Sequence, residues 1–260
     1  MDYASRLYIT FLFSISLSGF ITNTVSGQLL IQILPGNRKI RGDDRVWCES
    51  WRFTVETNDA GSLGTVPPRC EGFVKNYMTG DRYLLDSQAV AEEALSLAGK
   101  VKLAGDGKDA WVFDIDETLL SNLPYYSLNG FGTQSFDEAS FDEWVETGKA
   151  PALPASLKLY NSLQKLGFKL FLLTGRSENQ RNVTEANLLS AGYQNWEKLI
   201  LRGTSDSGTN AVVYKSGKRK ELKDEGYRIH GSSGDQWSDL LGKAIAKRSF
   251  KLPNPMYYIA

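Results

Sequence analysis

The sequence predicts an α/β protein built on a parallel β-sheet that is flanked by helices. Three short runs are almost wholly apolar, as expected of strands that are buried on both faces: AWVFDID (110–116), FKLFLLTGR (168–176) and EKLILRG (197–203). Strands and helical patterns alternate along this part of the chain, which is typical of a parallel sheet with right-handed crossovers. Polar residues that end the runs then lie at one edge of the sheet, outside the carboxyl ends of its strands.

Residues 28–108, before the first strand, are predicted to form a mostly helical N-terminal extension. Its clearest helix runs from about Asp86 through Ala98, where alanine and leucine favour helix formation. The Gly-Asp-Gly sequence at 105–107 breaks this pattern and is interpreted as a linker. The main domain is therefore expected to span residues 109–260.

Further elements complete this domain. A helix is expected over 155–167, with leucines on one face and Gly167 as its stop. The helix after the second strand begins with a capping-box pattern, Ser177 with Gln180, and Gly192 marks its end. YRIHGSSGD (227–235) is a weaker fourth strand, and RSFKLPN (248–254) is a candidate fifth.

Length and composition exclude some classes of protein. The chain has 260 residues, of which 42% are hydrophobic and 23% charged, values that are ordinary for a globular protein. Lysine and arginine together number 30, as do aspartate and glutamate, and no long basic run occurs. Binding to nucleic-acid backbones requires clustered positive charge, so nucleic acid is not an expected partner.

Residues 1–27 are predicted to be a cleaved signal peptide. The apolar run LYITFLFSISLSGFI (7–21) is short for a membrane span and typical of a secretory signal, with a retained anchor as the alternative. Cleavage is expected near Ser26–Gln28, so the mature protein should have no stable membrane anchor. The protein is then expected in the extracellular space (apoplast or cell wall) or in the vacuole, and the sequence does not separate the two.

Secretion also affects the interpretation of Cys48 and Cys70, the two cysteines of the chain. In an oxidising compartment such a pair more often forms a disulfide than a metal site, and two separate buried thiols are the alternative. Asn182, in the sequon Asn-Val-Thr, is a candidate glycosylation site if it is exposed.

Three aspartates end predicted strands at the same edge of the sheet: Asp114 and Asp116 after the first, and Asp235 after the fourth. Carboxylates at this spacing form an oxygen-rich pocket that suits Mg²⁺ rather than zinc. The single histidine, His230, argues against hydrolases that use several histidines, and no nucleophile elbow or P-loop motif occurs. An aspartate nucleophile assisted by Mg²⁺ remains, with a second carboxyl group for acid and base work.

The motifs resemble those of the haloacid dehalogenase (HAD) superfamily of phosphatases. DIDET (114–118) fits its first motif, D-x-D-x-T, and LLTGR (172–176) fits the second. VVYKSGKRKEL (212–222) carries its lysine, and GDQWSD (234–239) fits the fourth, G-D-x-x-x-D. More narrowly, the chain resembles the plant acid phosphatase and vegetative storage protein family, class B acid phosphatase-like. This resemblance covers nearly the whole mature chain and implies a HAD-like Rossmannoid core.

The resemblance implies a role for each motif residue. Asp114 would be the nucleophile and a Mg²⁺ ligand, and Asp116 would be the general acid and base and would bind the metal through its backbone carbonyl. The remaining assignments are Thr174 and Gly175 as holders of the phosphoryl group, Lys215 as the group that neutralises its charge, Asp235 as a metal ligand and Asp239 as a support for the metal or Lys215.

Simpler interpretations stand beside these roles. Asp114 and Asp116 could cap a helix that begins near Leu119, and Asp235 could be an ordinary helix cap. Lys215 could lie on a solvated basic face, while Asp239 could be a surface residue of a helix with no role in the site. Arg176 either contacts substrate or lies at the surface.

The implied activity is acid phosphatase: hydrolysis of small phosphate monoesters through an aspartyl-phosphate. A storage protein with weak or no activity is the alternative, and Asp114, Asp116, Thr174, Lys215 and Asp235 favour the enzyme. A small insertion at 131–148, between the first two motifs, carries four aromatic residues: Phe131, Phe136, Phe141 and Trp144. They either cover the site or dock a helix on the core. The sequence leaves open whether two copies form a homodimer.

Overall fold

The computed structural model describes residues 43–58 and 64–259, and the predicted signal peptide lies outside these ranges. Within them the chain forms a five-stranded parallel sheet with helices around it, as the sequence predicts. The strands are β1 (Asp109–Phe113), β2 (Lys169–Ser177), β3 (Lys198–Arg202), β4 (Arg228–Gly234) and β5 (Arg248–Lys251). Their order is β3-β2-β1-β4-β5, so the strand that precedes the DIDET motif is at the centre.

Helices occupy about half of the remaining described chain. They are α1 (Asp44–Glu56), α2 (Glu71–Met78), α3 (Asp81–Ala98), α4 (Leu123–Leu128), α5 (Glu138–Glu146), α6 (Pro154–Leu166), α7 (Arg181–Ser190) and α8 (Ala211–Asp224). The predicted start of α3 at about Asp86 was too late, because the helix begins five residues earlier, immediately after Gly80. Gly167 does end α6, with a positive φ of 96° that glycine adopts without strain.

Both faces of β1 are buried, which explains its continuous apolar sequence. Trp111 and Phe113 belong to a core cluster that also contains Ala94 and Ala98 of α3. Ala110 and Val112 alternate with them and lie in a second cluster on the other face. The central strand is therefore held between two helical layers, and its C-terminal end is fixed in position.

The predicted first strand, 110–116, was too long, because β1 ends at Phe113 and a tight turn follows. The carbonyl of Ile115 accepts hydrogen bonds from the amides of Thr118, Leu119 and Leu120. Glu117 has a positive φ of 54° within this turn. Asp114 and Asp116 do not cap a helix here, since the next helix, α4, begins only at Leu123.

Helices α1 and α2 pack in a third cluster together with residues from later in the chain. Cys48 and Cys70 form a disulfide that joins α1 to the turn preceding α2. Trp51 and Tyr126 lie in the same cluster, as does Met256 near the end of the chain. The N-terminal helices and the C-terminal segment are thus packed together.

The described residues from Asp44 onward belong to one compact unit. The boundary between an extension and a core at 108 and 109 stays a prediction. In the described ranges, none of the helices is long and apolar enough to cross a membrane.

Candidate active site

The candidate site lies at the carboxyl ends of β1, β2 and β4, in an open cavity of about 1010 Å³. Asp114 and Asp116 follow β1, while Gly175 and Arg176 belong to the end of β2. Asp235 follows β4 directly. Since parallel strands end at the same edge, residues that are up to 121 positions apart meet in one place, as the sequence predicts.

Lys215 and two carboxylates form the buried floor of the site. Lys215, on α8, donates to Oδ1 of Asp114 at 2.6 Å and also to Oδ1 of Asp239. All three side chains are buried. Burial opposes the charge on Lys215, but the two carboxylates outweigh it and raise its pKa above the ordinary value. Lys215 therefore does not lie on a solvated basic face, and Asp239 orients it.

Asp116 has a separate set of partners. Arg176 donates from Nη2 to Asp116 Oδ1 at 2.7 Å and from Nε to both carboxylate oxygens at 3.2 Å. The Thr174 hydroxyl donates to Oδ2 at 3.3 Å. Although burial opposes its charge, the guanidinium holds the pKa of Asp116 below its ordinary value. Arg176 is buried rather than at the surface, and its direct contact is with Asp116.

Asp235 is held by neutral groups. Its Oδ2 accepts hydrogen bonds of 2.7 Å from the side-chain amides of Gln236 and Asn254, and its Oδ1 accepts one of 3.4 Å from Thr118. Burial and the neighbouring charge of Asp239 raise the pKa of Asp235 to about 7. The carboxylate is oriented by these donors, but no cation in the described part of the chain is paired with it.

The donor set fits a divalent cation. Carboxylate oxygens of Asp114, Asp235 and Asp239 lie within 4.8 Å of one another, and all three residues are buried. Burial and the charge of Asp239 raise the pKa of Asp114 well above its ordinary value, so the cluster has an excess of negative charge that a cation would relieve. The Ser238 hydroxyl beside them is buried and has no hydrogen-bond partner among the described residues. Oxygen donors of this kind favour hard ions.

This cluster differs in one member from the expected metal ligands, Asp114, Asp116 and Asp235. The structure brings the side chains of Asp114, Asp235 and Asp239 together, whereas the side chain of Asp116 is engaged by Arg176. The expected contribution of Asp116 is its backbone carbonyl, and this stays a prediction.

The third acid of the DIDET motif, Glu117, has a structural role that the sequence did not reveal. It is fully buried, and its carboxylate accepts hydrogen bonds from the backbone N–H of Asn122 at 2.5 Å and from the Tyr257 hydroxyl at 2.6 Å. Burial, with a smaller contribution from Asp116, raises the pKa of Glu117 to about 7. Asn122, Asn254 and Tyr257 were also missed, because no local pattern marks residues whose partners are distant in sequence.

The aromatic residues of the insertion contact both the cavity and the core. Phe136 and Phe141 line the cavity, with ring centroids 5.4 Å apart. Phe131 is buried in the third core cluster, and Trp144 packs against two clusters. Phe141 also packs against the third cluster, so the insertion docks on the core through Phe131, Phe141 and Trp144 and borders the site through Phe136 and Phe141.

The remaining sequence candidates lie away from the cavity. Asn182 is exposed on α7, so a glycan there is sterically accessible. The buried His230 hydrogen-bonds to Asp109 at 2.7 Å, and Asp109 lies at the opposite end of β1 from the site.

Comparison with known proteins indicates the family to which the chain is related. Residues 37–260 match the family described as HAD superfamily, subfamily IIIB (acid phosphatase). The chain is 56% identical to acid phosphatase 1 of Solanum lycopersicum, over 83% of this chain and 85% of that protein. It is 48% identical to a stem 28 kDa glycoprotein of Glycine max, over 82% and 84% of the two chains. It is 42% identical to vegetative storage protein 2 of Arabidopsis thaliana, over 82% and 80%.

A similar fold occurs in a solved structure, the class C acid phosphatase from Bacillus anthracis. That structure matches with a TM-score of 0.61 at 22% identity, over 72% of this chain and 85% of the other. At this identity the likeness concerns the fold alone. The match over residues 37–260 and the close plant relatives show that this chain belongs to the acid phosphatase family of HAD subfamily IIIB.

Proposed function

We propose that this protein is an acid phosphatase that hydrolyses small phosphate monoesters through an aspartyl-phosphate on Asp114, with Mg²⁺ as cofactor. The observation that carries the proposal is the separation of two neighbouring aspartates into different environments. Asp114 lies beside Lys215 and the carboxylate cluster, whereas Asp116 is held by Arg176. A nucleophile must stay unprotonated while an acid–base group exchanges a proton. Without a metal ion the pKa of Asp114 is raised and that of Asp116 is lowered, so a cation bound beside Asp114 would be needed to keep its carboxylate unprotonated.

Asp114 would attack the phosphorus atom with a carboxylate oxygen. In the described part of the chain, the Asp114 carboxylate has a hydrogen-bond partner on Oδ1 only, which is the Lys215 ammonium. Its Oδ2 is therefore the oxygen that forms the new bond to phosphorus, as the bond from phosphorus to the leaving oxygen breaks. Asp116 would donate the proton that the leaving oxygen takes up.

Hydrolysis of the intermediate would reverse the role of Asp116. Its carboxylate takes a proton from water as the water oxygen attacks phosphorus, and the bond to Asp114 breaks to release phosphate. The Thr174 hydroxyl and the Gly175 amide are the groups expected to donate to phosphoryl oxygens. Lys215 would offset negative charge on the same group.

The carboxylates of Asp114 and Asp235 and the backbone carbonyl of Asp116 would hold Mg²⁺, with Asp239 supporting them through Lys215. When bound, the ion supplies positive charge beside the phosphoryl oxygens and relieves repulsion between the phosphate and Asp114.

The substrate and the location of the protein are further parts of the proposal. Phe136 and Phe141 border an open cavity, which supports small monoesters with varied leaving groups. A signal peptide, the Cys48–Cys70 disulfide and the glycoprotein names of the soybean relatives support passage through the secretory pathway to the apoplast, cell wall or vacuole.

Storage is the second candidate function, because two relatives bear storage protein names. One assay separates the two: release of p-nitrophenol from p-nitrophenyl phosphate with Mg²⁺, with EDTA, and by Asp114→Asn. The enzyme proposal expects Mg²⁺-dependent release that the substitution abolishes. Folded, Mg²⁺-loaded protein that releases nothing at any pH would favour storage.

A further inference from the structure

The insertion helix α5 contacts the loop that follows the DIDET motif through one hydrogen bond. Trp144 donates from its indole Nε1 to Oδ1 of Asn122 at 2.8 Å. Trp144 is itself fixed, since it packs against two core clusters, and Asn122 is fully buried. The position of the Asn122 side chain is therefore set by a rigid neighbour.

This contact also determines which way the Asn122 amide faces. An indole N–H can only donate, so the amide oxygen must face Trp144 and the amide NH₂ must face the opposite side. There the NH₂ donates to Oδ1 of Asp116 at 2.9 Å and to Oε2 of Glu117 at 3.2 Å. Both of these carboxylate oxygens accept from the NH₂, so the network is consistent in a single orientation of the amide.

The result is an asymmetric carboxylate on Asp116. Oδ1 accepts from the Asn122 amide and from Nη2 and Nε of Arg176. Oδ2 accepts only longer hydrogen bonds, of 3.2 Å from Arg176 Nε and 3.3 Å from the Thr174 hydroxyl. The less engaged oxygen is the one that can carry a proton, because two strong donors already occupy the other.

We propose that Asn122 is a positioning residue for proton transfer, held by Trp144, and that it fixes Asp116 so that Oδ2 donates the proton to the leaving group. This inference rests on the proposed role of Asp116 as the acid. In the reaction, the proton moves from Asp116 Oδ2 to the leaving oxygen as the bond from phosphorus to that oxygen breaks. The insertion thus acts on the chemistry through Asn122, in addition to bordering the cavity.

Leaving-group dependence distinguishes this role from general support of the fold. A phenolate that is poorly stabilised needs a proton as it departs, whereas a dinitrophenolate leaves without one. The value of kcat/KM reports steps up to formation of the aspartyl-phosphate, so it is not affected by later hydrolysis. Misplacing Asp116 should therefore lower kcat/KM for phenyl phosphate much more than for 2,4-dinitrophenyl phosphate.

The experiment compares Asn122→Leu with Asn187→Leu, on both substrates and with Mg²⁺. Asn187 is an equally buried asparagine whose amide bonds to both backbone groups of Ala150. Because general acid catalysis contributes about 100-fold or more, we expect Asn122→Leu to lose at least about 10-fold on phenyl phosphate and less than about 3-fold on the dinitrophenyl ester. Asn187→Leu should show equal changes on the two substrates. Urea unfolding in EDTA establishes that each variant is folded.

Trp144→Phe is the second variant, which keeps the test decisive if Asn122→Leu does not fold. It removes the donor but keeps an aromatic ring, and we expect a smaller difference between the substrates in the same direction. Equal losses on both substrates, or none, in folded variants would overturn the positioning role. Full activity of Asp114→Asn in the same assays would instead overturn the proposed function, and this inference with it.

Discussion

Replacement of Glu117 by glutamine should remove a pH-dependent part of the protein's stability. Glu117 is fully buried, and burial raises its pKa from 4.5 to about 7. Between these two values the folded protein binds more protons at this site than the unfolded chain does. Raising the pH through this window therefore favours the unfolded state.

The size of the effect follows from the pKa difference. A rise in pKa from 4.5 to about 7 corresponds to a loss of about 3 kcal/mol in the free energy of unfolding. This loss is absent below pH 4.5 and complete above pH 7. Glu117→Gln keeps the shape of the side chain but does not titrate. Relative to the variant, the wild-type protein should lose about 3 kcal/mol of unfolding free energy as the pH rises from 4.5 to 8.

Urea unfolding of both proteins in EDTA, at several pH values from 4.5 to 8, measures this difference without a metal ion. Tyr257→Phe provides a second arm, because the Tyr257 hydroxyl lowers the pKa of Glu117 by hydrogen bonding. Its loss should extend the window to higher pH. A stability difference between wild type and Glu117→Gln that stays constant with pH would refute the reasoning.

Three further predictions concern charge, the disulfide and the metal. Lys215→Met leaves the buried carboxylates of Asp114 and Asp239 without a cation, and should lower the free energy of unfolding by about 3–5 kcal/mol in urea at pH 7 in EDTA; an unchanged value would contradict a stabilising role for these ion pairs. The double substitution Cys48→Ser and Cys70→Ser opens a loop with a sequence separation of 22 and should lower the free energy of unfolding by about 3 kcal/mol. An unchanged free energy of unfolding in the same assay would contradict this prediction. Mg²⁺ at a hundred times its Kd should stabilise the protein by about 2.7 kcal/mol, and calorimetry without any rise in Tm would count against the site.

The sequence is sufficient to predict the parts of the fold that depend on local patterns. Apolar runs located β1, β2 and β3, weaker patterns located β4 and β5, and the capping box at Ser177 and Gln180 is formed as expected. The strand ends then predicted that Asp114, Asp116 and Asp235 meet at one edge. These inferences needed only periodicity, capping chemistry and the general geometry of parallel sheets.

Contacts that depend on tertiary packing could not be predicted in this way. Tyr257 donates to Glu117 across 140 positions, and Asn122 meets Trp144 across 22. Nothing in the local sequence marks Asn122 as different from a surface asparagine. The role of Arg176 was left open for the same reason, since its partner is set by how β1 and β2 pair.

Trapping of a covalent intermediate tests the central claim most directly. Wild-type protein with Mg²⁺ and a monoester substrate would be quenched in acid within its first turnovers, digested and analysed by mass spectrometry. We expect one phosphoryl group on the peptide that contains Asp114, located on that residue and absent from Asp114→Asn. A protein that turns over substrate fully, yet carries its phosphoryl group on another residue or on none, would contradict the account.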